Sequence, residues 1–252
     1  MAASNIVLYL SFAIAGLIIG SFLNVVIYRI PRKLSIVRPS SSCPECKEKI
    51  KLYDNIPVLS FIILRGRCRN CGASISIKYP IVELSTAVLY LLNYYFFGIS
   101  FMTLLGVIFV SILIIVTMID IDFRIIPNVI ILPALIIGLG ISTFLVGDIW
   151  WRPLAFSAGA FIFMLIIHLI YPRGMGLGDV KYSAVLGAFL SQKVVVGLFL
   201  GFLFGSIYGL IMIIIKKRKL KTAIPFGPFL SFGSLLALFW GNFILKWYLS
   251  FF

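Results

Sequence analysis

Residues 178–215 read GDVKYSAVLGAFLSQKVVVGLFLGFLFGSIYGLIMIII, about 38 positions with one polar interruption at Ser191-Gln192-Lys193. How this run divides decides the fold. A hydrocarbon core roughly 30 Å thick takes about 20 helical residues to cross. The run is therefore two short spans, or one long span with a re-entrant piece. Charge separates these readings. If loops alternate sides from an external N-terminus, the inner loops are 29–80, 120–128, 171–181 and 216–221. Those loops hold all 22 Lys and Arg except Arg152, Lys193 and Lys246, a strong positive-inside bias. A single span would place Lys216-Lys217-Arg218-Lys219 outside, against that bias. Two spans are expected.

The rest of the chain agrees. Its 252 residues are 62% hydrophobic and 12% charged, with a mean hydropathy of +1.13, too apolar for a soluble globular domain. Further spans are expected at about Ile6–Tyr28, Ile81–Phe97, Phe101–Ile119, Val129–Val146, Pro153–Tyr171 and Pro228–Leu249. The first could be mistaken for a secretory signal. No Lys or Arg precedes it, however, and Arg29, Arg32 and Lys33 follow it as at a membrane anchor. The expected fold is all-α: a polytopic integral membrane protein of about eight transmembrane helices with a small cytoplasmic loop domain. Its parts are the first helix (1–28), the loop domain (29–80) and a helical bundle (81–252). The net charge of +14 flanks spans rather than forming one basic domain, which points to membrane lipid headgroups as partners and not to nucleic acid.

All four cysteines lie in the one long hydrophilic stretch, as Cys43-Pro-Glu-Cys46 and Cys68-Arg-Asn-Cys71. Two Cys-x-x-Cys pairs can supply four thiolates to one tetrahedral zinc, with Lys47, Arg67 and Arg69 favouring the ionised form. Such a site is structural, because four thiolates leave no position for water. Two disulfides, or one redox-active pair, would use the same residues, and a reducing compartment disfavours them.

The chain has eight Asp and Glu. Glu45, Glu48 and Asp54 lie in the cysteine loop, and Asp148 sits in an external turn beside Trp150 and Trp151. Glu83, Asp120, Asp122 and Asp179 lie at membrane segments, where ionisable groups are costly and are functional candidates by default. Asp120 and Asp122 end one span and Asp179 opens another, at the same cytoplasmic boundary. Two carboxyls brought within a few Å share a proton, so one can take a proton from water while the other polarises a peptide carbonyl. Gly174, Gly176 and Gly178 would let a substrate backbone come close, and Lys181 could tune the local field. The alternative makes Asp120 and Asp179 solvated helix caps. It is weaker for Asp120, since a helix C-terminus disfavours negative charge.

Five segments in order carry a resemblance. They are Gly20-Ser21-Phe22-Leu23-Asn24 through Arg29-Ile30-Pro31, the paired cysteines, Lys78-Tyr79-Pro80-Ile81-Val82-Glu83, the Asp120 segment with Gly176-Leu177-Gly178-Asp179, and Pro225-Phe226-Gly227-Pro228. In this the chain resembles the type IV prepilin peptidases, membrane aspartic proteases of the GxGD type. The resemblance implies a bacterial inner-membrane location and Asp120 and Asp179 as the catalytic pair, with Asp122 a charge-tuning neighbour. Prepilin or type II secretion pseudopilin precursors would be the substrates, losing a short basic leader at the cytoplasmic surface. It also implies N-methylation of the new N-terminus by S-adenosylmethionine. No Gly-rich cofactor cradle is visible, so methyl transfer rests on resemblance alone. Glu83 is the acidic candidate for an amine or cofactor, or equally a carboxylate facing its helix N-terminus. Two other classes stand beside this one: an ion-coupled transporter, disfavoured because both acids sit at one face, and a zinc-stabilised membrane scaffold. His168 is expected to be a hydrogen-bonded packing residue. Gly197, Gly201, Gly205 and Gly209 have the four-residue spacing of a close helix contact.

Overall fold

The computed structural model describes residues 2–146, 149–172, 174–216 and 225–251. Asp148, Arg173 and the basic run 217–221 lie outside the described residues. The chain divides into two compact units, Met1–Thr103 and Leu104–Phe252. Among the described residues there is no strand, only two isolated β-bridges in the cysteine loop.

In the first unit, α1 (Ala2–Arg29) packs along α3 (Lys78–Phe97). Two glycines permit the approach. A Cβ on Gly16 would stand 2.5 Å from Ala87 Cα, and one on Gly20 would stand 2.7 Å from Glu83 Cα. This is the small-residue contact by which membrane helices associate without a hydrophobic drive between them. The Asn24 side chain donates to the Tyr79 carbonyl at 3.1 Å and ties the C-terminal end of α1 to the N-terminal end of α3. α3 stops at Gly98, whose φ of +59° suits glycine. The short α2 (Leu59–Ile63) lies in the connecting loop.

The second unit is built round α7 (Leu177–Leu190), buried at Asp179, at Val180 and at every residue from Tyr182 to Leu190. Beside it run α4 (Phe101–Phe123), α5 (Asn128–Ile141), α6 (Arg152–Ile170), α8 (Val194–Lys216) and α9 (Gly227–Leu249). Polar pairs join α7 to its neighbours. Ser157 Oγ donates to Ala184 O at 2.8 Å and Ser183 Oγ to Ala160 O at 3.1 Å. Tyr182 and Ser231 hydroxyls meet at 2.8 Å. Phe109 stacks on Phe189 with centroids 4.9 Å apart.

Residues 178–215 are two helices, turned at Ser191 (φ 49°). Among the described residues α1 and α3 to α9 make eight helices, roughly the expected number of spans, although α3 is not apolar enough to count among the membrane-crossing segments. Among the described residues six segments are long and apolar enough to cross a membrane, and one of these, Leu177–Ile215, contains both α7 and α8. With 14 residues, α7 is about 21 Å long, short of a full hydrocarbon core. Its surroundings explain this, since a helix enclosed by others need not reach both interfaces. The expected span to Val146 ends as an α-helix at Ile141 and continues to Val146 as a π turn.

Candidate active site

Asp120 lies in the last turn of α4, where Arg124 N–H bonds Asp120 O at 2.9 Å and Arg124 turns out of the helix with φ of 55°. Pro127 then blocks continuation and caps α5. The carboxyl is 5% exposed. It does not cap its own helix. Oδ2 accepts the Gly227 backbone N–H at 2.9 Å, from the first residue of α9 and 107 positions away. A Cβ on Gly227 would fall 2.8 Å from that oxygen, so only glycine lets the amide come this near. The Pro225-Phe226-Gly227-Pro228 segment was legible as a motif, but this use of it was not.

Asp179 is the third residue of α7 and is 9% exposed. Its Oδ2 accepts the Gly176 N–H at 3.2 Å, the side-chain half of a capping box. The helix-end reading thus holds in part: Asp179 closes back on the N-cap amide from inside the helix. Asp120 and Asp179 stand within electrostatic reach of one another, and both act on the buried Tyr182 hydroxyl one turn further along α7. Tyr182 and Gly227 had no assigned part in the sequence.

The glycines before Asp179 make room for neighbours in the chain itself. A Cβ on Gly176 would meet Asp179 Oδ2 at 3.2 Å, one on Gly178 would meet Ile126 Cβ at 3.2 Å, and the side of Gly174 is taken by the Tyr171 ring. His168 Nδ1 bonds the Met175 carbonyl at 2.8 Å and pins this loop, the packing role expected of it. Lys181 Nζ donates to Asn128 Oδ1 at 3.2 Å, so its ammonium joins α7 to α5. Asp122 is exposed.

Glu83 is 7% exposed and sits in the second turn of α3, beyond the helix N-terminus, so the dipole reading does not describe it. Oε2 accepts the Val58 N–H at 2.8 Å, and the Ser21 and Asn24 side chains lie beside the carboxyl. Val58 has φ of 61°, a genuine outlier for a β-branched residue.

The cysteines form two copies of one turn, offset by 25 positions. Cys43 N–H bonds Glu48 O and Lys47 N–H bonds Cys43 O, both at 3.0 Å; Cys68 N–H bonds Ala73 O at 2.8 Å and Gly72 N–H bonds Cys68 O at 3.0 Å. Bridges Ser42–Lys49 and Arg67–Ser74 close the copies. Lys47 and Gly72 occupy the same left-handed position, with φ of 60° and 72°. All four sulfurs lie within 4.8 Å of one another, and Cys43 and Cys71, from different copies, are 3.8 Å apart. Tetrahedral metal–thiolate bonds of about 2.3 Å place sulfurs about 3.8 Å apart, so the cluster can hold a metal ion. None of the four is paired in a disulfide. The Cys71 and Asn70 amides bring the Cys68 thiol down to about 7. At Cys46 the Glu48 amide lowers the thiol, but desolvation and the three neighbouring sulfurs outweigh it and raise the group to about 11.

Residues 14–97 match the bacterial peptidase A24 N-terminal domain, and residues 107–210 match the type IV leader peptidase family. A prepilin leader peptidase/N-methyltransferase of Bacillus subtilis is 39% identical, covering 94% of this chain and 96% of its own. One from Legionella pneumophila is 36% identical over 97% and 95%, and one from Pseudomonas aeruginosa 31% over 100% and 97%. No solved structure matches the chain. Identity sustained over nearly the whole of each relative, rather than at isolated motifs, means that the chain belongs to the type IV leader peptidase family.

Proposed function

We propose that this protein cleaves the leader of prepilin-like precursors, type IV pilins or type II secretion pseudopilins, and then N-methylates the new N-terminus. One observation carries the assignment of the chemistry. Among the described acidic residues of the second unit, Asp120 and Asp179 are buried and each is held by a backbone amide, whereas Asp122 is exposed.

The Gly227 and Gly176 amides fix one oxygen of each carboxyl, and we assign the other oxygen of each to water and substrate. Two carboxyls within a few Å of one another resist joint ionisation, so in this reading the pair keeps one proton. The ionised aspartate takes a proton from water as the water oxygen adds to the scissile carbonyl carbon. The protonated one stabilises the carbonyl oxygen, and the C–N bond then breaks with the amine leaving protonated. Tyr182, tied to Ser231, backs the pair. The site lies at the inner-membrane cytoplasmic surface in this reading, where a substrate helix held in the bilayer delivers its leader junction.

In the loop domain at 29–80 we assign zinc, held by Cys43, Cys46, Cys68 and Cys71, with a structural role. S-adenosylmethionine, the donor this reading requires, supplies a methyl group on a cationic sulfur.

Incubation of purified protein with a leader-bearing precursor, followed by mass spectrometry of the product, tests the assignment. Asp120→Asn and Asp179→Asn are each expected to lose at least about 10²-fold in cleavage rate, while Asp122→Asn cleaves within a few-fold of the parent. Normal cleavage by either of the first two refutes the dyad.

A further inference from the structure

The first unit contains a cavity of about 610 Å³, walled by the C-terminal end of α1, the N-terminal end of α3 and the cysteine loop. This lies in the range of small-molecule sites, roughly 300–1,000 Å³. Ser21, Asn24 and Tyr28 line it from α1, and Tyr79 and Glu83 from α3.

Among the described acids of this unit only Glu83 is buried. A buried carboxylate is costly unless compensated, yet the polar groups at Glu83 are neutral: the Val58 amide that donates to it, and the Ser21 hydroxyl and Asn24 amide beside it. They orient the carboxyl without cancelling its charge. The backbone is strained to do so, since Val58 takes its positive φ while its N–H meets Oε2, and strain of this kind collects at functional sites. Basic side chains, including Arg38 and Lys51, line the same cavity. An anionic headgroup would call for cations alone, and a basic leader peptide for acids alone. Walls of both signs with aromatic and apolar area suit a zwitterion with an apolar body.

We propose that this cavity binds the sulfonium methyl donor, with Glu83 holding its cationic part and the basic wall its carboxylate. The assignment rests on the methyltransferase reading above and deepens it by giving that activity its own site. Ser21 and Asn24 are positioning residues, which fix the Glu83 carboxyl. The donor's acceptable chemistry follows from the walls: it carries a fixed positive charge and a carboxylate, and its uncharged homologue lacking the sulfonium binds more weakly.

The test uses the full chain in detergent, with S-adenosylmethionine and its demethylated thioether product as probes. Equilibrium dialysis measures binding, ultraviolet cross-linking with peptide mapping locates it, and mass spectrometry of a cleaved precursor reads methylation by the parent protein. Expected results are one donor site per chain, cross-links within residues 21–83, and tighter binding of the sulfonium than of the thioether. Glu83→Gln should bind tenfold or more weakly, as loss of a buried charge partner costs at least this much. Ser76→Trp, which fills the cavity from an exposed position, guards against misfolding of the first variant and should also weaken binding. Asp120→Asn should still bind. Donor binding unchanged in both cavity variants, or cross-links confined to the second unit, overturns the site while methylation by the parent leaves the methyltransferase reading standing. A parent protein that neither methylates nor binds the donor removes both.

Discussion

A Cβ on Gly227 would sit 2.8 Å from Asp120 Oδ2, inside contact distance. Gly227→Ala must therefore push the carboxyl aside or tilt the start of α9, while also weakening the 2.9 Å hydrogen bond that holds the acid. A misplacement of about 1 Å at a catalytic group can cost on the order of 10²-fold. The expected outcome is a comparable drop in precursor cleavage by a protein that still enters the membrane fraction, checked by time-course mass spectrometry. Asp120 and Asp179 were visible from sequence because acids at membrane boundaries are rare and costly. The amide that fixes Asp120 was not, since the motif containing Gly227 carries no charge or periodicity that names a partner. Lys181 illustrates the converse. Sequence proximity to Asp179 suggested a field effect, but its ammonium reaches Asn128 on α5.

Among the elements, α7 governs the second unit. It is enclosed by α4, α5, α6, α8 and α9, and its serine and tyrosine hydroxyls are bonded across to α6 and α9. Close approach of α8 and α9 depends on Gly197, Gly201 and Gly233, and a Cβ on Gly233 would clash with the Gly197 carbonyl. The four-residue glycine spacing in α8 thus reads correctly as a packing face at Gly197, Gly201 and Gly205. Gly209, the fourth in the series, has no heavy atom near its open side. Gly233→Ala is expected to destabilise by about 1–3 kcal/mol, the usual cost of overpacking. Gly209→Ala should be neutral or slightly stabilising, because alanine is the better helix former. Thermal unfolding midpoints in one detergent separate the two; equal shifts would contradict the packing described.

At the scale of the whole molecule, the helices and the cysteine loop have different sources of order. The bundle is held by buried helix contacts, whereas the cysteine loop is too small and too exposed to rely on a core. A metal on its four sulfurs would supply the missing constraint. Purified protein is expected to hold one zinc per chain. A strong chelator, or Cys68→Ser, should make residues 41–76 sensitive to proteases and leave the helices resistant, as measured by limited proteolysis beside metal analysis. A loop equally resistant with and without metal would contradict this role. Composition, run length and charge placement by themselves determined the membrane class and the division of residues 178–215, because each depends on transfer energies of short stretches. Regular spacing likewise exposed the four thiols as one set. Tertiary structure alone decided which amides hold Asp120 and Glu83, what fills the space beside the glycines, and that a cavity opens next to Glu83. Those partners lie 107 and 25 positions from their acids, and packing, which no local pattern encodes, brings them together.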